Sequence, residues 1–216
     1  MKAVVIGGAN ITDYRFVKKM IAGANLIVCC DGGVSHARKM ELSPNYIVGD
    51  FDSAPKEDLD FFREMKVPME QFPTEKDETD LQIGISLCIE KGVDDLVILG
   101  GIGSRFDHTF ANVQLLLGLL KKGISAKLVN EYNVIELIDQ PTTLTGEVGE
   151  LLSTLPLSDC VEGLTLKGVQ YPLNNRDLYL DDPLVAVSNV FAEKTIEISF
   201  RSGYLLIIRA SDKIFT

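Results

Sequence analysis

Leu96-Val97-Ile98-Leu99 runs directly into Gly100-Gly101-Ile102-Gly103-Ser104-Arg105, and a helical pattern over residues 107–121 follows. An apolar run, a glycine-rich turn and then a helix are typical of a strand–helix unit in a parallel sheet. Backbone N–H groups in such a turn can approach an anion, and Arg105 can add a bidentate contact. The turn is not a GxGxxG fingerprint, and it is not a Walker A loop because no Gly-Lys-Ser/Thr follows.

The same alternation of short apolar runs and helical spacing extends back to the first residues. It predicts strands at residues 3–6, 26–30, 46–48, 69–72 and 96–99, and helices at residues 14–22, 34–40, 55–64, 80–91 and 107–121. Nearly continuous apolar strands indicate a parallel sheet that is covered on both faces, as in Rossmann-like α/β/α domains. Ligands of such sheets bind beyond the carboxyl ends of the strands.

From about residue 126 the helical period disappears. Strands are predicted at residues 127–129, 134–138, 150–154, 164–169, 177–180, 185–187, 195–200 and 204–209. This pattern indicates an antiparallel β-sandwich. Pro141 and its neighbouring threonines break the pattern within residues 139–146. We therefore predict an α/β domain over residues 1–139 and a β-sandwich domain over residues 140–216.

Composition limits the classes of function. The 216 residues are 46% hydrophobic and carry a formal net charge of −10. A chain this acidic, without a Lys/Arg cluster, has no footprint for nucleic acid, and no apolar run is long enough for a membrane span. Cys29 and Cys30 lie side by side in an apolar run and Cys88 lies on the apolar face of a predicted helix, so we expect reduced thiols and a cytoplasmic protein.

Two carboxylates follow the predicted strand at residues 46–48. In Gly49-Asp50-Phe51-Asp52-Ser53 the glycine permits a sharp turn, so that Asp50 and Asp52 can face the strand-end crevice and share a hard cation such as Mg²⁺. The alternative is structural, because Asp52 or Ser53 would also cap a helix that has Pro55 in its first turn. Capping needs one polar residue, so the presence of Asp50 favours the cation.

A second acidic stretch, Lys76-Asp77-Glu78-Thr79-Asp80, opens the helix predicted at residues 80–91. Thr79 and Gln82 have the spacing of a capping box, which taken alone is the better explanation. Capping does not require Asp77, Glu78 and Asp80 together, however, and a cation nearby would relieve their repulsion. Lys76 and Arg105 are placed to offset the charge of a phosphate.

Three further groups of residues are candidates for ligand contacts. His108 and Asn112 lie one helical turn apart, although a histidine there is also explained as a structural side chain. Asp31-Gly32-Gly33 follows a strand and can accept a ligand hydroxyl or amine, or be only a turn. Ser188-Asn189 beside Phe191 suits a flat heteroaromatic ligand, and a β-turn with a core phenylalanine explains it equally well.

Taken in order, these motifs resemble the thiamine pyrophosphokinase family, and its bacterial branch in particular. The resemblance rests on Asp31-Gly32-Gly33, Gly49-Asp50-Phe51-Asp52-Ser53, Lys76-Asp77-Glu78-Thr79-Asp80, the segment from Gly101 to His108 with Asn112, Gly163-Leu164-Thr165-Leu166-Lys167-Gly168, and Ser188-Asn189. It covers nearly the whole chain, and the ordered set is far more specific than any one motif.

The resemblance implies transfer of the diphosphate of ATP to the hydroxyethyl group of thiamine, with Mg²⁺, giving thiamine diphosphate and AMP. Asp50, Asp52 and Asp80 match the metal and catalytic carboxylates of the family. The residues expected on the ATP and phosphate side are Asp31, Lys76, Asp77, Arg105, Asp107, His108 and Asn112. Ser188 and Asn189 match the thiamine side, and Phe191 stands where some members have tryptophan, which this chain lacks. The resemblance also implies a homodimer whose sites are shared between subunits.

Two other functions fit parts of the pattern. An Asp-x-Asp pair also occurs in aspartyl-phosphate phosphatases, but their nucleophile ends the first strand, where this chain has Gly7-Gly8-Ala9-Asn10. A thiamine- or nucleotide-binding protein without catalytic activity would bind ligand and form no AMP. The surplus of carboxylates suited to a metal argues against that alternative.

Overall fold

A computed structural model describes residues 1–182 and 186–212 of the chain. Within those ranges the helices are α1 Tyr14–Ile21, α2 Gly33–Met40, α3 Lys56–Glu64, α4 Asp80–Glu90 and α5 Phe106–Lys121. The strands are β1 Lys2–Ile6, β2 Leu26–Cys30, β3 Tyr46–Gly49, β4 Met69–Gln71, β5 Asp95–Leu99, β6 Ser125–Asn130, β7 Asn133–Ile138, β8 Thr142–Thr145, β9 Leu151–Pro156, β10 Cys160–Lys167, β11 Leu173–Tyr179, β12 Asn189–Val190, β13 Thr195–Ser199 and β14 Leu205–Ala210. No helix in these ranges is long and apolar enough to cross a membrane.

Ten strands form one large sheet in the order β12-β9-β14-β7-β6-β5-β1-β2-β3-β4. The six strands from β6 to β4 are parallel, with Val5 of β1 paired to Val28 of β2 and to Ile98 of β5. The sequence predicts this order for β1 to β5, but its placement of residues 127–129 in the antiparallel half is wrong, because β6 pairs parallel to β5 after the helix α5. Strand β7 turns back antiparallel to β6, and β14, β9 and β12 continue the sheet in antiparallel order. The sheet therefore has a parallel half and an antiparallel half.

Side chains of β1, in the middle of the parallel half, alternate between two covered faces of the sheet. Val4 and Ile6 point into the core beneath α1, α2 and α3, whereas Ala3 and Val5 point into the core beneath α4 and α5. All four are fully buried. Burial on both faces explains why strands of the parallel half are nearly continuous apolar runs.

The remaining strands form a smaller antiparallel sheet in the order β11-β10-β13-β8. Leu164 and Leu166 of β10 and Ile198 of β13 pack with Leu152 of β9 and Ile207 of β14 in one core. The predicted sandwich is thus present, and one of its two layers is the antiparallel half of the large sheet. The division at residues 139 and 140 falls between β7 and β8 and stays a prediction.

Two elements of the second half differ from the sequence prediction. The predicted break around Pro141 contains β8, whose threonines pair with β13. Threonine is β-branched and suits an edge strand, so it forms structure there instead of ending it. The strand predicted at residues 185–187 is wrong for Ala186, which has 3₁₀ conformation, and for Val187, which lies in a bend, and Val185 lies outside the described residues. Ser188 follows with a left-handed φ of 59°, which turns the chain into β12.

Candidate active site

The crevice of the molecule lies where the strand order reverses. From β1 the chain adds β2, β3 and β4 on one side and then returns to β5 on the other. The loops that leave β1 and β5 are joined by hydrogen bonds from Gly7 N–H to Leu99 O (2.8 Å) and from Ala9 N–H to Gly100 O (2.9 Å). Such a switch point at the carboxyl edge of a parallel sheet is where open α/β folds bind ligands.

Glycine is required where these two loops cross. A Cβ on Gly7 would lie 2.7 Å from Gly100 O, and a Cβ on Gly100, which has φ of +62°, would lie 2.2 Å from Gly7 O. Any side chain at either position would push the loops apart. The crevice beside them encloses about 1130 Å³. This volume exceeds the ~300–1,000 Å³ of a typical pocket for one small molecule, so a nucleotide and part of a second substrate can fit.

Three carboxylates meet in this crevice. Asp31 follows β2, Asp50 follows β3 and Asp80 is the first residue of α4, and one oxygen of each lies within 4.8 Å of the others. Gly49 makes the meeting possible, because a Cβ at its φ of +147° would lie 3.1 Å from Asp31 N and Cβ. The parallel topology therefore gathers residues that are far apart in sequence, as the strand-end argument predicts.

The charges of this group are partly compensated. The Lys76 ammonium lies 3.0 Å from Asp80 Oδ1 and 3.4 Å from Asp50 Oδ2. The backbone N–H of Asp52, 3.1 Å from Asp50 Oδ1, holds the pKa of the Asp50 carboxyl below its usual value, and Lys76 adds to this effect. Burial raises the pKa of Asp31, and the neighbouring charges of Asp80 and Asp52 raise it further.

Two oxygens of the group lack hydrogen-bond donors in the described part of the chain. Asp31 Oδ1 and Asp80 Oδ1 are both buried and accept no hydrogen bond from the described residues. Lys76 lies at ion-pair distance from Asp80 Oδ1 but does not meet it with hydrogen-bond geometry. Buried carboxylate oxygens without donors are costly, and a hard cation with oxygen preference satisfies them. The donor set therefore fits Mg²⁺.

Asp52 lies beside this group. Its carboxylate lines the crevice, is exposed, and accepts a hydrogen bond from Ser53 Oγ at 2.9 Å. The three clustered carboxylates thus include Asp31, whereas the sequence predicts Asp52 in the metal set. The alternative in which Asp52 or Ser53 caps α3 is wrong, because Pro55 occupies that position without a side-chain cap. The capping box of Thr79 and Gln82 is confirmed.

The residues predicted on the phosphate side lie mostly at the mouth of the crevice. Arg105 and His108 line it with exposed side chains, and Asn112 is buried and donates to Gly101 O at 2.8 Å. Arg105 pairs with Asp107 and holds the pKa of that carboxyl at about 2. Asp77 is exposed and is not among the described residues that line the crevice.

Three helices have N-termini without a side-chain cap here. The N-cap residues of α2, α3 and α5 are Gly32, Pro55 and Arg105, and none of them makes a side-chain capping hydrogen bond. All three residues line the crevice. By contrast, α1 is capped by Asp13 and α4 by Thr79. Helix N-termini without a side-chain cap favour an anion such as phosphate.

Sequence reasoning missed the loop after β6, where Asn130, Glu131 and Tyr132 line the crevice. Glu131 is only 3% exposed, and its Oε1 accepts hydrogen bonds from Thr12 N–H, Thr12 Oγ1 (3.1 Å) and Asp13 N–H (2.9 Å). Burial raises the pKa of Glu131, but the backbone donors outweigh burial and hold it below its usual value. Polar residues at the end of the predicted strand at 127–129 were the signal that could have found it.

His36 was also missed. It is buried, its Nε2 lies 3.0 Å from Ala9 O, and its Nδ1 lies 3.0 Å from the Tyr14 hydroxyl. Because a carbonyl only accepts, Nε2 carries the proton and Nδ1 accepts from Tyr14. Burial lowers the pKa of His36 and keeps the ring neutral. Glu131 and His36 therefore brace the loop between β1 and α1 from two sides.

Comparison with known proteins matches two families along this chain. Residues 17–128 match "Thiamin pyrophosphokinase, catalytic domain" and residues 138–205 match "Thiamin pyrophosphokinase, vitamin B1 binding domain". The chain belongs to the thiamin pyrophosphokinase family. Thiamine pyrophosphokinase of Bacillus subtilis (strain 168) is 33% identical over 174 residues, which cover 79% of this chain and 80% of that protein.

Solved structures of this family share the fold. The Bacillus subtilis thiamine pyrophosphokinase structure superposes with a TM-score of 0.89 at 27% identity, covering 98% of this chain and 100% of that one. A thiamin pyrophosphokinase family protein from Enterococcus faecalis gives 0.84 at 28% identity, covering 99% and 100%. The crevice described above lies within the part of the chain that matches the catalytic domain of the family, apart from the loops after β1 and β6.

The residues predicted on the thiamine side of this family member lie elsewhere in the fold. Phe191 is fully buried in the sandwich core, and Asn189 is 4% exposed. The Asn189 side chain accepts from Tyr171 N–H (3.0 Å) and donates to Tyr171 O (2.8 Å). Ser188 is exposed, and its N–H donates to Ser153 Oγ at 3.0 Å. Among the described residues, none of the three lines the crevice of the same chain.

Proposed function

We propose that this member of the thiamin pyrophosphokinase family transfers the diphosphate of ATP to thiamine, forming thiamine diphosphate and AMP. The observation that carries the proposal is the meeting of Asp31, Asp50 and Asp80 at the switch-point crevice, in a chain whose two halves match the catalytic and vitamin B1 binding domains. The phosphatase alternative has no nucleophile, because the chain leaves β1 through Gly7 and Gly8.

Asp31, Asp50 and Asp80 are proposed to hold Mg²⁺, because their oxygens cluster and two of them lack donors. Asp52 stays in the proposed catalytic set, because its carboxylate lines the same crevice two residues from Asp50. Bound Mg²⁺ would offset the charge that develops on the phosphates during transfer. Glu131 and His36 then serve the reaction by holding the loop that faces these carboxylates.

The reaction needs in-line attack of the thiamine hydroxyl oxygen on the β-phosphorus of ATP. The bond from that phosphorus to the oxygen bridging it to the α-phosphorus breaks, AMP leaves, and the hydroxyl proton passes to a crevice carboxylate or to water. Arg105, His108 and the uncapped ends of α2 and α5 are proposed to position the phosphates. Positioning and charge stabilisation supply most of the catalysis in such transfers.

We further propose that thiamine is bound by the β half, through Ser188 and Asn189 with Phe191 packed behind them, and that the site is completed by a second subunit. Support comes from the vitamin B1 binding match over residues 138–205 and from the absence of these three residues from the described lining of their own chain's crevice. The active unit would then be a homodimer, with an α/β domain over residues 1–139 and a thiamine-binding domain over residues 140–216.

A subunit-mixing experiment tests the shared site. Asp80→Asn removes the carboxylate side, and Ser188→Arg places a cation beside the proposed site of the thiazolium, which is itself a cation. If sites are shared, a mixed dimer holds one intact site, so equal mixing should restore about a quarter of wild-type activity. Absence of rescue after proven subunit exchange would place each site within one chain.

The reaction itself is tested by incubating purified protein with thiamine, ATP and Mg²⁺ and separating the products. Equal amounts of AMP and thiamine diphosphate are expected, with Asp80→Asn as the inactive control. Formation of ADP and phosphate would indicate a phosphohydrolase, and ligand binding without AMP would indicate a binding protein. A cytoplasmic location is proposed with this function, since all four cysteines are free thiols.

A further inference from the structure

One lysine lies among the carboxylates of the crevice. Lys76, four residues before Asp80, points its ammonium at Asp80 Oδ1 (3.0 Å) and Asp50 Oδ2 (3.4 Å), and it donates to Pro73 O at 3.1 Å. Its side chain is only 15% exposed. Two carboxylates at these distances stabilise the charged form of the ammonium. An internal cation thus faces two of the three carboxylates that fit Mg²⁺.

Because of these positions, the Lys76 ammonium and a divalent metal ion would compete for the same carboxylates. A divalent ion that binds Asp50 and Asp80 would lie near the Lys76 ammonium, and like charges this close repel strongly where water is partly excluded. Lysine is a flexible point charge, so it can leave the carboxylates when another partner is available. Phosphate oxygens delivered with a nucleotide would be such a partner, and Arg105 and the uncapped helix ends face the same crevice.

We propose that Lys76 is a built-in counter-ion that competes with the divalent cation for Asp50 and Asp80 in the nucleotide-free protein and moves to the phosphates when the nucleotide binds. The proposal rests on the proposed metal site. Lys76 acts as a positioning residue with two opposite effects: it weakens binding of the free metal ion and strengthens binding of the metal–nucleotide complex. The metal ion then enters the site together with the nucleotide.

The first test measures Mn²⁺ binding to the nucleotide-free protein by electron paramagnetic resonance. Lys76→Met removes the competing charge, so we expect Mn²⁺ to bind about tenfold more tightly, the factor that corresponds to one modest ion pair. Lys76→Gln should behave in the same way if Lys76→Met folds poorly, and Lys76→Arg should stay close to wild type. Lys122→Met is the matched control, because it removes one exposed positive charge at the C-terminal end of α5, whereas the N-terminal end of that helix borders the crevice.

The second test measures binding of a non-hydrolysable ATP analogue with Mg²⁺ by calorimetry. The order of affinities should be the reverse of that for Mn²⁺: Lys76→Met and Lys76→Gln should bind the analogue several-fold more weakly than wild type. Unchanged or weaker Mn²⁺ binding by both variants would overturn the proposal, as would an equal gain in Lys122→Met, which would show only a general charge effect.

The same measurements distinguish a wrong metal site from a wrong role of Lys76. If Asp80→Asn binds Mn²⁺ as tightly as wild type, the ion lies elsewhere, and both the proposed carboxylate set and the role of Lys76 fall. If Asp80→Asn loses Mn²⁺ binding while Lys76→Met does not gain it, the metal site stands and only the competition is wrong.

Discussion

The two halves of the large sheet use buried polar side chains differently. In the parallel half, His36, Asn112 and Glu131 are buried, and each bonds to a backbone loop that borders the crevice. In the antiparallel half, the buried Asn189 joins β12 to Tyr171 in the loop between β10 and β11, and Thr154 lies in the sandwich. Buried polar side chains therefore shape a site in one half, whereas in the other half Asn189 ties a strand to a neighbouring loop.

Oxygens without donors show the same contrast. Of the three such buried side-chain oxygens in the described part of the chain, two belong to Asp31 and Asp80 in the crevice, and one belongs to Thr154 between the sandwich layers. A buried carboxylate oxygen without a donor, beside two other carboxylates, points to a cation. A single hydroxyl in an apolar core has no such neighbour and only lowers stability.

The largest expected effect is on turnover, and it falls in the parallel half. Asp50→Asn and Asp80→Asn each remove one charge that is proposed to hold Mg²⁺, so we expect kcat to fall by at least about 100-fold, roughly 3 kcal/mol of transition-state stabilisation. Folding should persist, because each change also relieves repulsion among the carboxylates. Steady-state kinetics and thermal unfolding are to be measured together.

A contrary result would be informative for each variant. Near-normal turnover in both would remove the carboxylate group from the mechanism. Asp52→Asn gives the comparison within the same crevice: its side chain is exposed and outside the cluster, so its effect should be smaller than that of Asp50→Asn. An equal effect would restore the metal set predicted from sequence.

The next effect is on stability, and it falls in the antiparallel half. Phe191 is fully buried between the layers, so Phe191→Ala should lower the free energy of unfolding by about 3–5 kcal/mol. Tyr179→Ala, at a half-exposed aromatic residue on β11, is the control and should cost far less. Denaturant unfolding monitored by circular dichroism measures both. A cost below about 1 kcal/mol would mean that Phe191 is not a core residue.

The Phe191→Leu variant then tests the thiamine side. It keeps most of the packing and removes the ring. If Phe191 supports Ser188 and Asn189 from behind, KM for thiamine should rise while KM for ATP stays unchanged. An equal rise in both constants would mean that the variant disturbs the fold and not a subsite.

The sequence predicts the fold of the parallel half better than that of the antiparallel half, and the reason is physical. The first five parallel strands and the helices are confirmed because burial on both faces and helical spacing are local signals, and the topology then brings Asp31, Asp50 and Asp80 to one edge. In the antiparallel half the pattern predicts strands but not which layer they join. The continuation of the large sheet through β7, β14 and β9 depends on pairing between distant segments.

The candidate site shows the same limit. Asp50 and Asp80 are predicted correctly as neighbours. Asp31 joins their cluster because Gly49 leaves room for it, and the spacing of residues in the sequence does not reveal this close approach. His36 and Glu131 look like ordinary polar residues in the sequence. Their roles arise only from contacts with a loop that is 27 residues away from His36 and more than 100 away from Glu131.

A smaller effect is expected at the brace of the crevice. Glu131→Gln replaces the carboxylate that accepts hydrogen bonds from Thr12 and Asp13 by an uncharged amide. We therefore expect a loss of about 1.5 kcal/mol in unfolding free energy at pH 7 and a higher KM for ATP. Glu136→Gln on β7, which breaks the partly exposed pair with Lys127, is the control and should cost at most about 1 kcal/mol.

The pH dependence of this loss has a defined sign. The pKa of Glu131 is lower in the folded protein than its usual value of 4.5, so its contribution to stability is present above pH 4.5 and is lost as the pH falls through the folded-state pKa. The difference between wild type and Glu131→Gln should therefore shrink below pH 4.5. A constant difference from pH 7 to pH 3 would contradict the role of the charge.

The smallest effect has the opposite direction and lies in the sandwich. Thr154 is 1% exposed and its Oγ1 has no hydrogen-bond partner in the described part of the chain. Thr154→Val replaces that hydroxyl by a methyl group of similar size, so the unfolding free energy should rise by about 1 kcal/mol with unchanged kinetics. Ser153→Ala is the neighbouring control and should not stabilise, because Ser153 Oγ accepts a hydrogen bond from Ser188 N–H. If Thr154→Val instead impairs thiamine turnover, the unpartnered hydroxyl serves a ligand, and the contrast between the two halves of the sheet is lost.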